Sequence, residues 1–180
     1  MPRLFFFTDP LRTPDPEAVI GRLPRGAGVV YRAFGDPAAV LTGRRLVTAA
    51  RRRGLLVLAG ADAALAARIG ADGVHLPERA ALSARGIRQA RPTWIVTAAA
   101  HSEGAIVRAR RSGADAVFVS PIFPSASPSA GRPLGALRFA ALTTRTAMPV
   151  FALGGINART ARQLAWTRAA GFAAIEALLD

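Results

Sequence analysis

Short apolar, β-branched runs alternate along this chain with longer Ala/Arg/Leu segments at helical spacing, and glycine or proline marks the joins. Such alternation commits a chain to parallel strands covered by helices, because parallel neighbours need a crossover about as long as a helix. The pattern predicts strands at Leu4–Thr8, Gly28–Arg32, Leu55–Ala59, Gly73–Leu76, Trp94–Ala100, Ala116–Phe123, Pro149–Gly154 and Gly171–Ala177. Helices are predicted at about 15–23, 36–52, 61–69, 80–90, 102–112, 135–144 and 157–168. Two β/α units apart, Gly70-Ala71-Asp72-Gly73-Val74-His75-Leu76 is echoed by Gly113-Ala114-Asp115-Ala116-Val117-Phe118-Val119. In each copy a glycine ends a helix and a buried strand follows.

Continuous apolar strands such as Val150-Phe151-Ala152-Leu153 suit a parallel sheet with both faces covered. An open doubly wound sheet and a closed barrel both satisfy this, and eight nearly regular units favour a single-domain (β/α)8 TIM barrel over residues 1–180. At 180 residues the chain is short for such a barrel, whose usual lower bound is roughly 200. Loops must then be minimal and the last helix absent, leaving apolar surface for a second copy to cover, so a homodimer is expected.

The charge is carried entirely by arginine: the 24 basic residues outnumber 11 acidic ones and include no lysine. Schiff-base chemistry and a lysine phosphate clamp are therefore excluded. Arg44-Arg45, Arg51-Arg52-Arg53 and Arg108, Arg110-Arg111 lie in helix-like stretches without interleaved aromatic residues, which fits outer helix faces better than a nucleic-acid footprint. With no cysteine and only His75 and His101, disulfides, thiolate catalysis and a polyhistidine metal centre are excluded. No apolar run approaches the ~20 residues of a membrane span, and the expected location is cytoplasmic.

Barrel chemistry sits at the carboxyl ends of the strands. That places Asp9, Arg32, Asp62, His75, Glu78, His101, the loop Ser120–Gly135 and Gly154-Gly155-Ile156-Asn157 as candidates. The paired glycines after strand 7 allow backbone N–H groups to close on a phosphate, or simply form a tight turn with positive φ. His101 follows an apolar strand and can carry a proton at the mouth, or His101 or Ser102 can cap the next helix. His75, inside a four-residue strand, reads as a hydrogen-bonded interior histidine. In the long strand-6 loop, Ser125, Ser127 and Arg132 could receive a phosphate, or the prolines could merely stiffen a crossover.

The ordered set Gly70–Leu76, His101-Ser102, Gly113-Ala114-Asp115, Pro121-Ile122-Phe123-Pro124 and Pro149–Ile156 resembles the thiamine-phosphate synthase and thiazole tautomerase family. The resemblance implies a β/α barrel, a phosphorylated thiazole as ligand and a role in thiamine biosynthesis. In synthase members a pyrimidine pyrophosphate ionises while magnesium and basic groups hold the pyrophosphate, and the thiazole nitrogen attacks. Of the family's Gln-x-Arg-x-Lys only Arg32 remains, where the family has Asn-Asp-Arg after strand 3 this chain reads Ala59-Gly60-Ala61-Asp62 with at best a displaced carboxylate, and Thr-x-Thr-Lys becomes Ser125-Ala126-Ser127-Pro128. His-Leu-Gly-Gln-x-Asp becomes His75-Leu76-Pro77-Glu78-Arg79-Ala80. These departures imply a metal-independent thiazole tautomerase-like protein without a cofactor. Its proton carrier would be His101, and its ligand would be held by Arg32, Ser125, Ser127, Gly154, Gly155 and Ile156. The alternatives are the synthase itself, with Asp62 and Glu78 holding Mg2+, and a non-catalytic binder of a phosphorylated ligand.

Overall fold

A computed structural model describes residues 1–125, 127 and 131–176. Eight parallel strands close into a barrel in sequence order, β1 pairing with β8 through Leu4↔Phe172, Phe5↔Ala173 and Phe6↔Ala174. The strands are β1 (Leu4–Phe7), β2 (Gly28–Tyr31), β3 (Leu56–Gly60), β4 (Gly73–Leu76), β5 (Ile95–Ala100), β6 (Ala116–Val119), β7 (Val150–Ala152) and β8 (Gly171–Ala174). Between them run α1 (Pro16–Arg22), α2 (Ala39–Arg52), α3 (Ala63–Ile69), α4 (Ala84–Ala90), α5 (Glu103–Arg111), α6 (Ala136–Thr144) and α7 (Ala158–Arg162), with a 3-10 turn (Glu78–Ser83) leading into α4. The open-sheet alternative is thereby set aside. The expected absence of an eighth helix falls on residues 177–180, outside the described ones.

Several boundaries differ from the sequence expectation, three of them for reasons that the hydrogen bonds show. β6 stops at Val119, because Pro121 has no N–H for a ladder, while the N–H groups of Ile122 and Phe123 bond to the carbonyls of Leu153 and Gly154 instead. α2 starts at Ala39 because Asp36 first forms a turn, accepting the Ala38 N–H on its carboxylate at 2.8 Å. α7 ends at Arg162 because the following bonds tighten to the i→i+3 pattern, Gln163 to Thr160 and Leu164 to Ala161.

The repeated Gly-Ala-Asp has a structural cause. Gly70 and Gly113 take φ of +72° and +84°, and the aspartate two residues on ties its own strand to the preceding one. Asp72 Oδ2 accepts the Val57 N–H at 2.7 Å, and Asp115 Oδ2 accepts the Val96 N–H at 2.7 Å. Both sit at the amino end of the barrel, away from the mouth.

Alternation along each strand sends one set of side chains into the lumen. Phe5, Phe7, Val30, Leu58, Phe118 and Phe151 fill it. Phe118 stacks on Phe151 at 4.9 Å and meets the edges of Phe5 and Phe7 at 5.0 and 5.1 Å. Gly28 makes room for this packing: a Cβ there would lie 2.2 Å from the Phe5 ring. The opposite faces of the strands pack against α1–α3 on one side, around Leu46 and Ile20, and against α5 and α6 on the other, around Phe139 and Ile106.

Candidate functional site

The layer above the lumen's aromatic rings is polar. His75 lies between Phe7 and Phe118, edge-on to both at 5.1 and 5.2 Å, and its Nδ1 is 3.0 Å from Thr97 Oγ1. Burial, and secondarily the Arg32 charge, push its pKa down to about 3. His75 is therefore the interior, hydrogen-bonded histidine expected from its strand. Its titration sets a sign for acid stability. The unfolded chain takes up a proton near pH 6.5 and the folded chain only near pH 3, so stability falls with pH throughout that window. The slope from this one group is about 1.4 kcal/mol per pH unit. Urea denaturation should lose about 2 kcal/mol between pH 6.5 and pH 5. Asp9 and Glu78, both held below their ordinary values, add to the loss only further into acid. A flat urea midpoint across that range would contradict the assignment.

Beside His75, Arg32 leaves the end of β2. Its Nε donates to the Thr8 carbonyl at 2.7 Å, its Nη2 to Asp9 Oδ2 at 3.2 Å, and its guanidinium lies 4.9 Å over the Phe34 ring. Asp9 also accepts from Arg12. Burial alone would raise the Asp9 carboxyl, but hydrogen bonds from the Leu11 N–H and from Arg12 outweigh it and hold the group below its usual value. Nε and one Nη of Arg32 are thus already engaged, and a substrate anion there would share the guanidinium with Asp9. Asp9 follows a strand and was legible as a candidate, but nothing in its neighbours marked it as the partner of Arg32. Thr8, Tyr31, Arg32, Phe34 and Asp36 line a recess of about 440 Å³ at this edge of the mouth.

Further round the mouth, His101 follows β5. The capping question resolves onto its neighbour: Ser102 Oγ accepts the Ala105 N–H at 3.2 Å, leaving the His101 ring out of the cap. That ring, about half exposed, has Nδ1 2.7 Å from Glu78 Oε2, while Nε2 faces Ser120 Oγ at 3.5 Å. Three consecutive strand ends, those of β4, β5 and β6, thus contribute one acid, one imidazole and one hydroxyl. Glu78 was visible as a strand-end acid; its pairing with His101 was not.

After β7, Gly154 and Gly155 take φ of +87° and +66°. A Cβ on Gly154 would lie 2.8 Å from Pro121 Cα, and one on Gly155 only 2.5 Å from the Pro124 carbonyl oxygen. The glycines therefore seat the strand-6 loop, which carries Ser125 directly beyond Pro124. The Ser127 N–H donates to Ser125 Oγ at 3.3 Å. The N–H groups of Gly154, Gly155 and Ile156 have no acceptor among the described residues. Asn157 closes the turn with a capping box, accepting from Arg159 and Thr160, while Thr160 Oγ1 donates to the Gly155 carbonyl at 2.8 Å. The helix dipole contributes little, since α7 has only five residues. Gly155→Ala should cost about 1–3 kcal/mol of stability, because both the backbone angle and the loop contact oppose a Cβ. A thermal melt unchanged by this substitution would refute the packing account.

Asp62 caps α3, its Oδ1 accepting the Leu65 N–H at 2.8 Å. Glu78 is held by His101 and Arg108. No group of three His, Asp or Glu side chains able to hold a metal ion occurs among the described residues. Asp62 and Glu78, the acids that the synthase alternative assigns to magnesium, each accept hydrogen bonds from protein groups.

A closed parallel barrel with its polar side chains gathered at the carboxyl ends of the strands makes this a (β/α)8 barrel of the kind that works at its mouth. The sequence profile of the thiamine monophosphate synthase family matches residues 17–178, and the chain belongs to that family. It is 36% identical over 177 residues to a thiamine-phosphate synthase of Methylococcus capsulatus, covering 94% of this chain and 76% of the relative. A relative in Aquifex aeolicus is 34% identical over 126 residues, 70% of this chain. The chain spans 66% of that relative's length, and 58% of one from Geobacter sulfurreducens. Among solved structures, the thiamine phosphate pyrophosphorylase from Pyrococcus furiosus superimposes with a TM-score of 0.84 at 26% identity, covering 96% of this chain and 85% of that one.

Proposed function

We propose that the barrel mouth binds a phosphorylated thiazole and catalyses a metal-independent, tautomerase-like proton transfer. The observation that carries this reading is the imidazole of His101, placed by Glu78 beside the Ser120 hydroxyl, in a mouth where Asp9, Asp62 and Glu78 each accept a hydrogen bond from a protein group. The unpaired N–H groups of Gly154, Gly155 and Ile156 would receive the phosphate. Ser125 and Ser127 would close over it from the strand-6 loop. Arg32, sharing its charge with Asp9, would orient a substrate carboxylate. His101 removes a proton from one position of the non-aromatic ring and returns it at another, so that the thiazole becomes aromatic with no group lost and no redox change.

A second reading, thiamine-phosphate synthase, is favoured by the names of the matched relatives and by the Pyrococcus superposition. It joins the thiazole phosphate to a pyrimidine pyrophosphate with loss of pyrophosphate. Parallel assays separate the two. Isomerisation of the thiazole carboxylate phosphate in the presence of a chelator supports the first. Thiamine phosphate formed from both precursors with magnesium supports the second. Tight binding of the thiazole phosphate without either product indicates a binding protein.

A further inference from the structure

Glu78 reaches His101 twice. Its Oε2 accepts the backbone N–H of His101 at 2.9 Å and lies 2.7 Å from Nδ1, while Oε1 accepts from Arg108 Nη2 at 2.9 Å. One oxygen is thus spent on His101 and the other on a guanidinium supplied by α5. Burial would raise the Glu78 carboxyl, but the His101 and Arg108 contacts outweigh it and keep it below its ordinary value. A carboxylate in that state has only acceptors to offer, so the hydrogen of the short contact sits on Nδ1. In a neutral imidazole that leaves Nε2 with a free lone pair. Nε2 has one neighbour within hydrogen-bond reach among the described residues, the Ser120 hydroxyl.

We propose that Glu78 is a positioning residue that fixes His101 in the Nδ1–H tautomer and presents Nε2, beside Ser120, as the proton-accepting atom of the mouth. Its kinetic consequence rests on the proton-transfer reading above; its tautomer consequence does not. The position matters because the family pattern has glutamine there. A glutamine amide can either accept from Nδ1–H or, rotated, donate to Nδ1, so it does not dictate the tautomer. It also carries no charge to balance the imidazolium formed when Nε2 takes a proton.

The sequence makes the test simple, since only two histidines are present. Long-range 1H–15N correlation spectra of 15N-histidine-labelled protein, recorded where the imidazole is neutral, report which ring nitrogen carries the proton. His101→Asn assigns the signals. The expected result is Nδ1–H in the parent and a shift toward Nε2–H in Glu78→Ala, with Glu78→Gln mixed. A thermal melt on each variant verifies folding, and Glu78→Gln serves if the alanine variant is unfolded. Parent protein with predominantly Nε2–H, or a tautomer indifferent to both substitutions, overturns the proposal. With thiazole carboxylate phosphate as substrate, Glu78→Gln should lower kcat on the order of 10²-fold with KM nearly unchanged. If the spectra behave as expected while His101→Ala retains full isomerase activity, the positioning role stands and the proton-transfer reading falls. If His101→Ala is inactive while the tautomer ignores Glu78, the reverse holds.

Discussion

On the proposed reading, His101→Ala should abolish most isomerisation of the thiazole carboxylate phosphate, with kcat/KM falling about 10²–10⁴-fold, the range associated with loss of a positioned general acid or base. The substitution deletes the ring that joins Glu78 to Ser120 and leaves the rest of the mouth in place, because the capping of α5 is done by Ser102. Binding of the phosphorylated ligand, which the same reading assigns to the strand-7 turn and the strand-6 loop, should change by less than about threefold. Kinetics and equilibrium binding on the same preparation measure both quantities. Unchanged turnover would end the proton-transfer assignment. Parallel loss of binding would move His101 from proton carrier to ligand anchor.

Phe118→Ala should give the largest stability loss of any single lumen substitution, about 3–5 kcal/mol. Phe118 is fully buried and touches the rings of Phe5, Phe7, His75 and Phe151. Strands from both halves of the barrel meet on this one side chain, so little can relax into the void. Chemical denaturation of the parent and the variant measures the difference. Phe118→Leu, which keeps more of the volume, should lose less. A cost under about 1 kcal/mol would mean that the surrounding rings collapse inward.

The barrel was legible in the sequence because its units are regular: β2 and β4 begin at glycines, and Asp62 and Ser102 cap the helices that follow β3 and β5. Closure was legible only by counting units, and the register between strands was not legible at all. Some boundaries slipped on bonds within a few residues, as at the start of α2 and the end of α7, and others on bonds between distant segments, as where the strand-6 loop leaves its ladder to bond with Leu153 and Gly154. The same limit applies at the mouth. His101, Arg32 and the paired glycines declare themselves by residue type and by following a strand. Their partners do not: Glu78 reaches His101 across 23 positions, and Asp9 reaches Arg32 across 23. Asp62, an acid at a strand end, also caps α3 through one carboxylate oxygen, a role that its place before an alanine-rich helix made legible. The Gly-Ala-Asp repeat, the most conspicuous pattern in the chain, turns out to stitch strand starts together at the far end from the candidate chemistry.

The aromatic filling of the lumen gives the mouth a solid floor. On the proposed reading, a molecule bound above that floor comes in from the mouth, and what is made leaves by the same way. Product and substrate therefore contend for the same vestibule, and accumulating product should slow the reaction by simple competition.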